Sequence, residues 1–153
     1  MKYFFDSSAI VKRYITEIGS AWVKTVAKNQ PKKNLYLSFV TGAEATAAFA
    51  KRHRNGDIPT SDYNTVRKVF QRHFQQRYTL LRVTKDVIQK AMDLTHNHPL
   101  RGFDAIQLAT ALILENDLKR SGLPGITFVC ADRNLCNAAR VESLTTENPN
   151  DYQ

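Results

Sequence analysis

The chain has 153 residues, 42% of them hydrophobic, which is enough for one domain with a buried core, and we expect no second domain. Its 22 lysines and arginines outnumber its 14 aspartates and glutamates, and this net charge of +8 favours a nucleic acid over a membrane surface as partner. No apolar run approaches the ~20 residues that cross a bilayer and the first residues lack the pattern of a signal peptide, so we expect a cytoplasmic protein. The two cysteines, Cys130 and Cys136, are expected to be reduced thiols.

The first half of the chain alternates strand patterns with helical patterns. An aromatic run stops at Asp6 and an apolar, basic stretch follows, so a strand ends and a helix begins at that carboxylate. Later helices are indicated by shared apolar faces, by an alanine-rich segment and by aromatic residues at helical spacing. The predicted elements are a strand over 1–5, a helix over 9–14, a helix from 19 to the polar turn at 29–33, a strand over 35–37, and helices over 41–54 and 61–76.

The second half continues this alternation, which is typical of an open α/β sheet. The predicted elements are a strand over 80–83, a helix that follows the cap Thr84 and breaks at 97–99, a helix over 103–114, a strand over 126–130 and a helix over 134–139. The helix after Thr84 is expected to bury Val87, Ile88, Ala91, Met92 and Leu94. Residues 145–153 are polar and without periodicity, so we expect a domain over 1–144 and a loosely held C-terminal tail.

Four carboxylates fall at corresponding ends of these elements. Asp6 and Asp132 lie just past strands, and Glu44 and Asp104 lie in the first turns of helices. Each has a structural explanation by itself, because Asp6 can cap a helix and Asp104 complements a helix dipole. Glu44 likewise completes the capping box Thr41-x-x-Glu44. Their joint occurrence at ends of the same polarity favours one shared crevice.

A cluster of this kind requires cations, because two close carboxylates repel by up to about 4 kcal/mol at an effective dielectric constant near 20. Oxygen ligands without His or Cys select Mg²⁺ or Mn²⁺, which lower the pKa of a bound water and stabilise the developing charge on a phosphate. Setting these four aside leaves 10 acidic residues against 22 basic ones, a surplus that attracts a phosphate backbone. The residues therefore predict in-line attack of a metal-activated water on a phosphodiester.

At these residues the sequence resembles the PIN domain family, in particular the VapC-type toxins of prokaryotic toxin–antitoxin pairs. The resemblance spans positions 3 to about 144, and its block around Asp104 is the most specific. The matching segments are Phe5–Tyr14, Glu44 in its alanine-rich helix, Leu100–Ala109, and Ala131–Leu135 followed by Ala138-Ala139. The resemblance implies a three-layer α/β/α sandwich with a Rossmann-like central parallel sheet. It also implies a Mg²⁺- or Mn²⁺-dependent endoribonuclease, often a homodimer, that is inhibited by a small VapB-type antitoxin.

The residue roles that the resemblance implies are metal ligation and a hydroxyl contact. Carried over by motif, the metal ligands are Asp6, Glu44, Asp104 and Asp132. Ser8 would place a hydroxyl near the metal and the scissile phosphate. Family members commonly have Thr two residues before the last Asp, where this chain has Cys130, so a hydroxyl contact expected there is missing or supplied by another residue.

Four basic residues flank the proposed ligands: Lys12, Arg13, Arg101 and Arg133. We expect them to contact phosphates rather than serve as solvated surface charges. The sequence thus predicts a metal-dependent ribonuclease with RNA as substrate. Two alternatives stay open: a non-catalytic nucleic-acid-binding or regulatory protein with the same fold, and a structure-specific DNA nuclease with the same ligands.

Overall fold

A computed structural model describes the whole chain, from Met1 to Gln153. Its strands are β1 (Lys2–Phe5), β2 (Leu35–Ser38), β3 (Thr79–Leu81), β4 (Ile126–Val129) and β5 (Thr145–Glu147). They form one sheet in the order β3-β2-β1-β4-β5, and every neighbouring pair is parallel. The strand order reverses between β1 and β4, and in open α/β sheets the crevice at the carboxyl ends of such a pair is where ligands bind.

Seven α-helices connect these strands. They are α1 (Ser7–Ile10), α2 (Ser20–Asn29), α3 (Val40–Arg54), α4 (Thr60–Gln76), α5 (Lys85–Asn97), α6 (Gly102–Arg120) and α7 (Arg133–Val141). The Thr84 hydroxyl caps α5 by accepting the N–H of Val87, as the sequence predicts. Helix α3 ends at Arg54 with Asn55 as its C-cap, and Gly56 follows with φ of 79°, a left-handed conformation that glycine adopts without strain.

Helices cover both faces of the sheet because successive strand side chains point to opposite sides. On β1, Phe4 belongs to the core formed with α5, α6 and α7, whereas Phe5 belongs to the core formed with α1 and α2. A third cluster, which includes Phe49 and Phe70, joins α3 to α4. The three-layer α/β/α sandwich with a central parallel sheet is therefore confirmed.

The C-terminal segment corrects the predicted domain boundary. Residues 145–147 form the edge strand β5, which pairs with β4, and the Tyr152 ring stacks on Trp22 with centroids 4.7 Å apart. The expectation of a loose tail over 145–153 is therefore wrong. The sequence does not indicate β5, because a short edge strand with polar side chains shows no apolar alternation. None of the helices combines the length and the apolar character that crossing a bilayer requires. The cytoplasmic location stays a prediction.

The buried face of α5 is narrower than the sequence predicts. Val87, Ala91 and Leu94 are buried against α6, but Ile88 is 40% and Met92 60% exposed. The apolar residues of α5 form two adjacent stripes, one with Val87 and Ala91 and one with Ile88 and Met92. The pattern does not show that only the first stripe packs against α6.

The cysteines also differ from expectation, because Cys130 and Cys136 form a disulfide bond in this structure. Helix α7 folds back over the end of β4 and brings their Cα atoms to 5.9 Å, within the range that a disulfide spans. The sequence does not indicate this pairing, since a separation of six residues carries no information about the turn between them.

Candidate functional site

Asp6 is the buried centre of the candidate site. Its backbone N–H donates to the Val129 carbonyl at 3.0 Å, which fixes the position where β1 ends beside β4. Its Oδ1 atom accepts the Ala9 N–H at 3.0 Å and thereby caps α1. The pKa of Asp6 is raised to about 7, because burial and the charges of Asp104 and Glu44 outweigh the hydrogen bonds from Ser8 and Ala9 that lower it.

Ser8 ties Asp6 to the neighbouring strand end. Its hydroxyl lies 2.8 Å from both carboxylate oxygens of Asp6, to which it donates, and it accepts the Ala131 N–H at 2.9 Å. Because Ala131 precedes Asp132, this hydroxyl links the two loops that carry the first and the last predicted ligand. The contact expected from a hydroxyl at position 130 has no counterpart at Cys130, which is fully buried and bonded to Cys136.

Asp132 follows β4 and begins α7. Its Oδ1 atom accepts the Leu135 N–H at 2.8 Å, so it caps α7 as Asp6 caps α1. Asp132 is exposed, whereas Asp6 is 2% exposed, so the crevice opens toward Asp132.

Glu44 and Asp104 line one cavity of about 430 Å³, whose other walls are Arg101, Gly102, Phe103 and Ile106. Both carboxylates are half-buried, and burial is the first cause that raises the pKa of each. The charge of Asp104 also raises the pKa of Glu44, and the charge of Asp132 raises that of Asp104. The four predicted ligands thus repel one another through a connected set of charge interactions.

Gln107 is a residue of this site that the sequence analysis missed. It is fully buried in α6, and its Nε2 atom donates to Glu44 Oε1 at 2.8 Å and to Thr41 Oγ1 at 2.9 Å. The sequence does carry a signal for it, an isolated amide in the most apolar helix, three residues after Asp104 and therefore on the same face.

Two of the four predicted phosphate contacts lie at the site. Arg101 is exposed, lines the cavity with Glu44 and Asp104, and its charge lowers the pKa of Asp104. Arg133 is exposed and directly follows Asp132. Both guanidinium groups are accessible to a phosphate backbone.

The other two predicted phosphate contacts are corrected. Lys12 is only 5% exposed, and its Nζ atom is bound by Glu17 Oε1 at 3.1 Å and by the Ile18 carbonyl at 2.9 Å. Arg13 donates to the Tyr78 hydroxyl at 2.6 Å and lies over the Tyr78 ring. Both lie in the 3₁₀ turn Val11–Arg13 that follows α1, where their charged groups bind other residues of the protein.

The donor set fits a hard divalent cation, because it offers carboxylate oxygens without His or Cys. As the side chains stand, no three His, Cys, Asp or Glu residues are grouped closely enough to hold one ion. Burial raises the pKa of Asp6, Glu44 and Asp104, and the charge of a neighbouring carboxylate raises each of them further. A cation between them would remove that repulsion.

Comparison with known proteins gives relatives along most of the chain, although no protein-family model matches it. Ribonuclease VapC45 of Mycobacterium tuberculosis (strain CDC 1551 / Oshkosh) is 31% identical over 136 residues, which cover 89% of this chain and 88% of the relative. Ribonuclease VapC49 of Mycobacterium tuberculosis (strain ATCC 25618 / H37Rv) matches with the same identity and coverage.

Solved structures share the fold at lower identity. PAE2754 from Pyrobaculum aerophilum superposes with a TM-score of 0.66 and 17% identity, covering 99% of this chain and 92% of its own. Mycobacterium tuberculosis VapC20, described as a Sarcin-Ricin loop cleaving toxin, superposes with a TM-score of 0.62 and 13% identity. The match covers 90% of this chain and 95% of VapC20. A chain of a toxin–antitoxin complex from Klebsiella pneumoniae superposes with a TM-score of 0.61 and 15% identity. The match covers 97% of this chain and 98% of the Klebsiella pneumoniae chain.

Proposed function

The chain belongs to the VapC ribonuclease family, and from that membership we propose that it is the toxin of a toxin–antitoxin pair, a divalent-metal-dependent endoribonuclease that hydrolyses RNA phosphodiesters. The observation that carries the proposal is the set of four carboxylates at the carboxyl edge of the sheet, whose charges act on one another within a chain of net charge +8. Such a field attracts a phosphate backbone while the acidic centre needs a cation.

The metal ligands of the proposal are Asp6, Glu44, Asp104 and Asp132. When bound, Mg²⁺ or Mn²⁺ lowers the pKa of a water and neutralises charge that develops on the phosphate. The protein's own contribution is to fix the ligands. Ser8 holds both oxygens of Asp6, and the caps of α1 and α7 hold Oδ1 of Asp6 and of Asp132.

Three exposed side chains at the crevice would bind the RNA. Arg101 and Arg133 supply positive charge for the backbone phosphates on either side of the carboxylates. Phe103, 57% exposed in the wall of the cavity, offers an aromatic face on which a base can stack. The two arginines provide attraction independent of sequence, and the aromatic ring provides a contact with a base.

The proposed partners follow from the family. We infer a small VapB-type antitoxin as inhibitor and a second copy of the chain in a homodimer. Support for the antitoxin comes from the Klebsiella pneumoniae neighbour, which is a toxin–antitoxin complex. A second neighbour of the same fold, FitAB, was solved bound to a DNA fragment.

The deciding experiment is the charge-neutral substitution Asp104→Asn, assayed for cleavage of single-stranded RNA and tRNA in Mn²⁺ and in EDTA. A bound metal ion stabilises a transition state by several kcal/mol, so we expect the rate to fall at least about 100-fold. The matched control is Asp117→Asn, the same change at an exposed position on the same helix, which should keep the parent rate.

Three outcomes would contradict the proposal. Unchanged cleavage by the Asp104→Asn protein would remove the carboxylate site from the reaction. A parent protein that binds RNA without cutting it in Mn²⁺ would establish the non-catalytic alternative. Cutting of flap DNA together with intact RNA would establish the DNA nuclease.

A further inference from the structure

Gln107 occupies a position at which an amide costs stability. It is completely buried in α6, and its Oε1 is the one buried side-chain nitrogen or oxygen in the chain that has no hydrogen-bond partner. An unpaired buried acceptor costs about 1–3 kcal/mol, whereas apolar side chains at both position 107 and its buried partner position 41 would leave nothing unpaired. The fold alone therefore gives no reason for an amide there.

The other end of this amide is fully used. Both hydrogens of Nε2 point at acceptors on α3, Glu44 Oε1 at 2.8 Å and the buried Thr41 hydroxyl oxygen at 2.9 Å. These contacts fix the orientation of the amide, because the Glu44 carboxylate accepts hydrogen bonds and cannot donate them. Turning the amide over would place Oε1 against that carboxylate.

The amide connects the two helices that carry the cavity's carboxylates. Gln107 lies one turn after Asp104 on α6, and Thr41 lies one turn before Glu44 on α3, so each pair shares a helix face. Glu44 is half-buried, and its carboxylate takes hydrogen bonds from the Gln107 amide at 2.8 Å and from the Ser7 side chain. Without the amide the carboxylate would lose the contact that ties it to α6.

We propose that Gln107 is a positioning residue that holds the Glu44 carboxylate in the orientation needed to bind a divalent metal ion beside Asp104. The inference rests on the proposed function, since it assigns Glu44 as a ligand. A hydrogen bond to a metal-ligating carboxylate fixes its rotamer before the ion arrives, and losing such a bond typically lowers metal affinity 10- to 100-fold.

The test is Gln107→Met, which keeps the volume of the side chain and removes the amide. We expect the Mn²⁺ dissociation constant, measured by titration calorimetry, to rise roughly 10- to 100-fold. We expect the free energy of unfolding in EDTA to change little, because Gln107→Met removes the unpaired Oε1 but leaves the buried Thr41 hydroxyl without its partner. The matched control is Thr110→Val, which removes a buried polar atom one turn further along α6 that bonds only the Ile106 carbonyl. It should leave Mn²⁺ affinity unchanged.

If Gln107 only bridges α3 and α6 structurally, Gln107→Met should lower the free energy of unfolding and leave Mn²⁺ affinity intact. That result overturns the inference and leaves the proposed function standing. If the parent binds no Mn²⁺, the metal-dependent function fails and takes the inference with it. Should Gln107→Met not fold, Gln107→Asn replaces it, because an amide shorter by one methylene no longer reaches Glu44. Parent-like Mn²⁺ affinity in the Asn protein overturns the inference.

Discussion

Asp6 and Asp132 each combine a local structural role with the proposed chemical one. Each uses Oδ1 to cap the helix that follows, which places its charge at the positive end of that helix. An asparagine keeps the capping oxygen and removes the charge, so Asp→Asn variants separate the two roles where alanine would disturb both. The capping explanation that the sequence left open for Asp6 is thus correct and compatible with metal binding. The capping box Thr41-x-x-Glu44 does not form, because α3 begins at Val40 and has no side-chain cap.

Phe103 provides a prediction at the level of single residues. If its exposed ring stacks on a base, Phe103→Ala should raise KM for RNA about 10-fold, because stacking contributes about 1–3 kcal/mol per base, and should leave kcat close to that of the parent. Steady-state cleavage of a short RNA in Mn²⁺ measures both constants. Met92→Ala, which removes a similarly exposed apolar side chain from α5, is the control. Equal KM values for Phe103→Ala and the parent would rule out the stacking contact.

Among the elements, α4 is attached to the sheet through a network of polar aromatic side chains. The Tyr14 hydroxyl lies 3.0 Å from His73 Nδ1 and 2.6 Å from the Tyr78 hydroxyl, which also accepts from Arg13. Burial, together with the charges of Arg13, Arg72 and Arg77, lowers the pKa of His73 from 6.5 to about 4. The imidazole is therefore neutral in the folded protein at neutral pH.

This network predicts acid sensitivity. Because the folded protein binds fewer protons at His73 than the unfolded chain does, the stabilisation is complete above pH 6.5 and is lost as the pH falls toward 4. His73→Gln keeps an acceptor for Tyr14 and cannot be protonated, so it should lose less stability than the parent between about pH 7 and pH 4.5. Urea unfolding at both pH values measures the difference. The exposed residue His96, changed to Gln, should behave like the parent. An acid-induced loss in His73→Gln as large as that of the parent would contradict this assignment.

In the molecule as a whole, a basic chain surrounds an acidic crevice. The four carboxylates come from elements separated by up to 126 positions, from Asp6 to Asp132, and the strand order of the sheet brings them to one edge. Their repulsion weakens the metal-free fold, and a bound cation converts this repulsion into attraction. Stability and metal binding should therefore be coupled.

That coupling can be measured by thermal unfolding with and without Mn²⁺. An ion that binds only the folded protein adds about 2.7 kcal/mol at 100 times its dissociation constant, so millimolar Mn²⁺ should raise the parent Tm. Asp6→Asn removes the buried carboxylate among the proposed ligands and should show a smaller rise, whereas the surface variant Asp117→Asn should match the parent. Equal rises in the parent and in Asp6→Asn would contradict a shared metal site.

Much of the fold follows from the sequence because its signals are local. The strand Ile126–Val129 is an apolar run that begins just after Pro124-Gly125. The apolar run 103–114 predicts most of α6, but the helix extends to Arg120 through charged residues that carry no such signal. The four carboxylates were recognisable because Asp6 and Asp132 immediately follow strands and Glu44 and Asp104 open helices. Strand β5 was missed because a short edge strand with polar side chains has no periodic signal.

The sequence by itself determined the element order, the α/β class and the acidic residues at the element ends, since each depends on neighbours a few positions away. Only the tertiary structure decided which charges face the crevice. Lys12 and Arg13 turn inward to Glu17 and Tyr78, whereas Gln107 reaches across to Glu44. The physical reason is that a side chain's partners depend on how helices pack against the sheet, and those contacts join residues far apart in the chain.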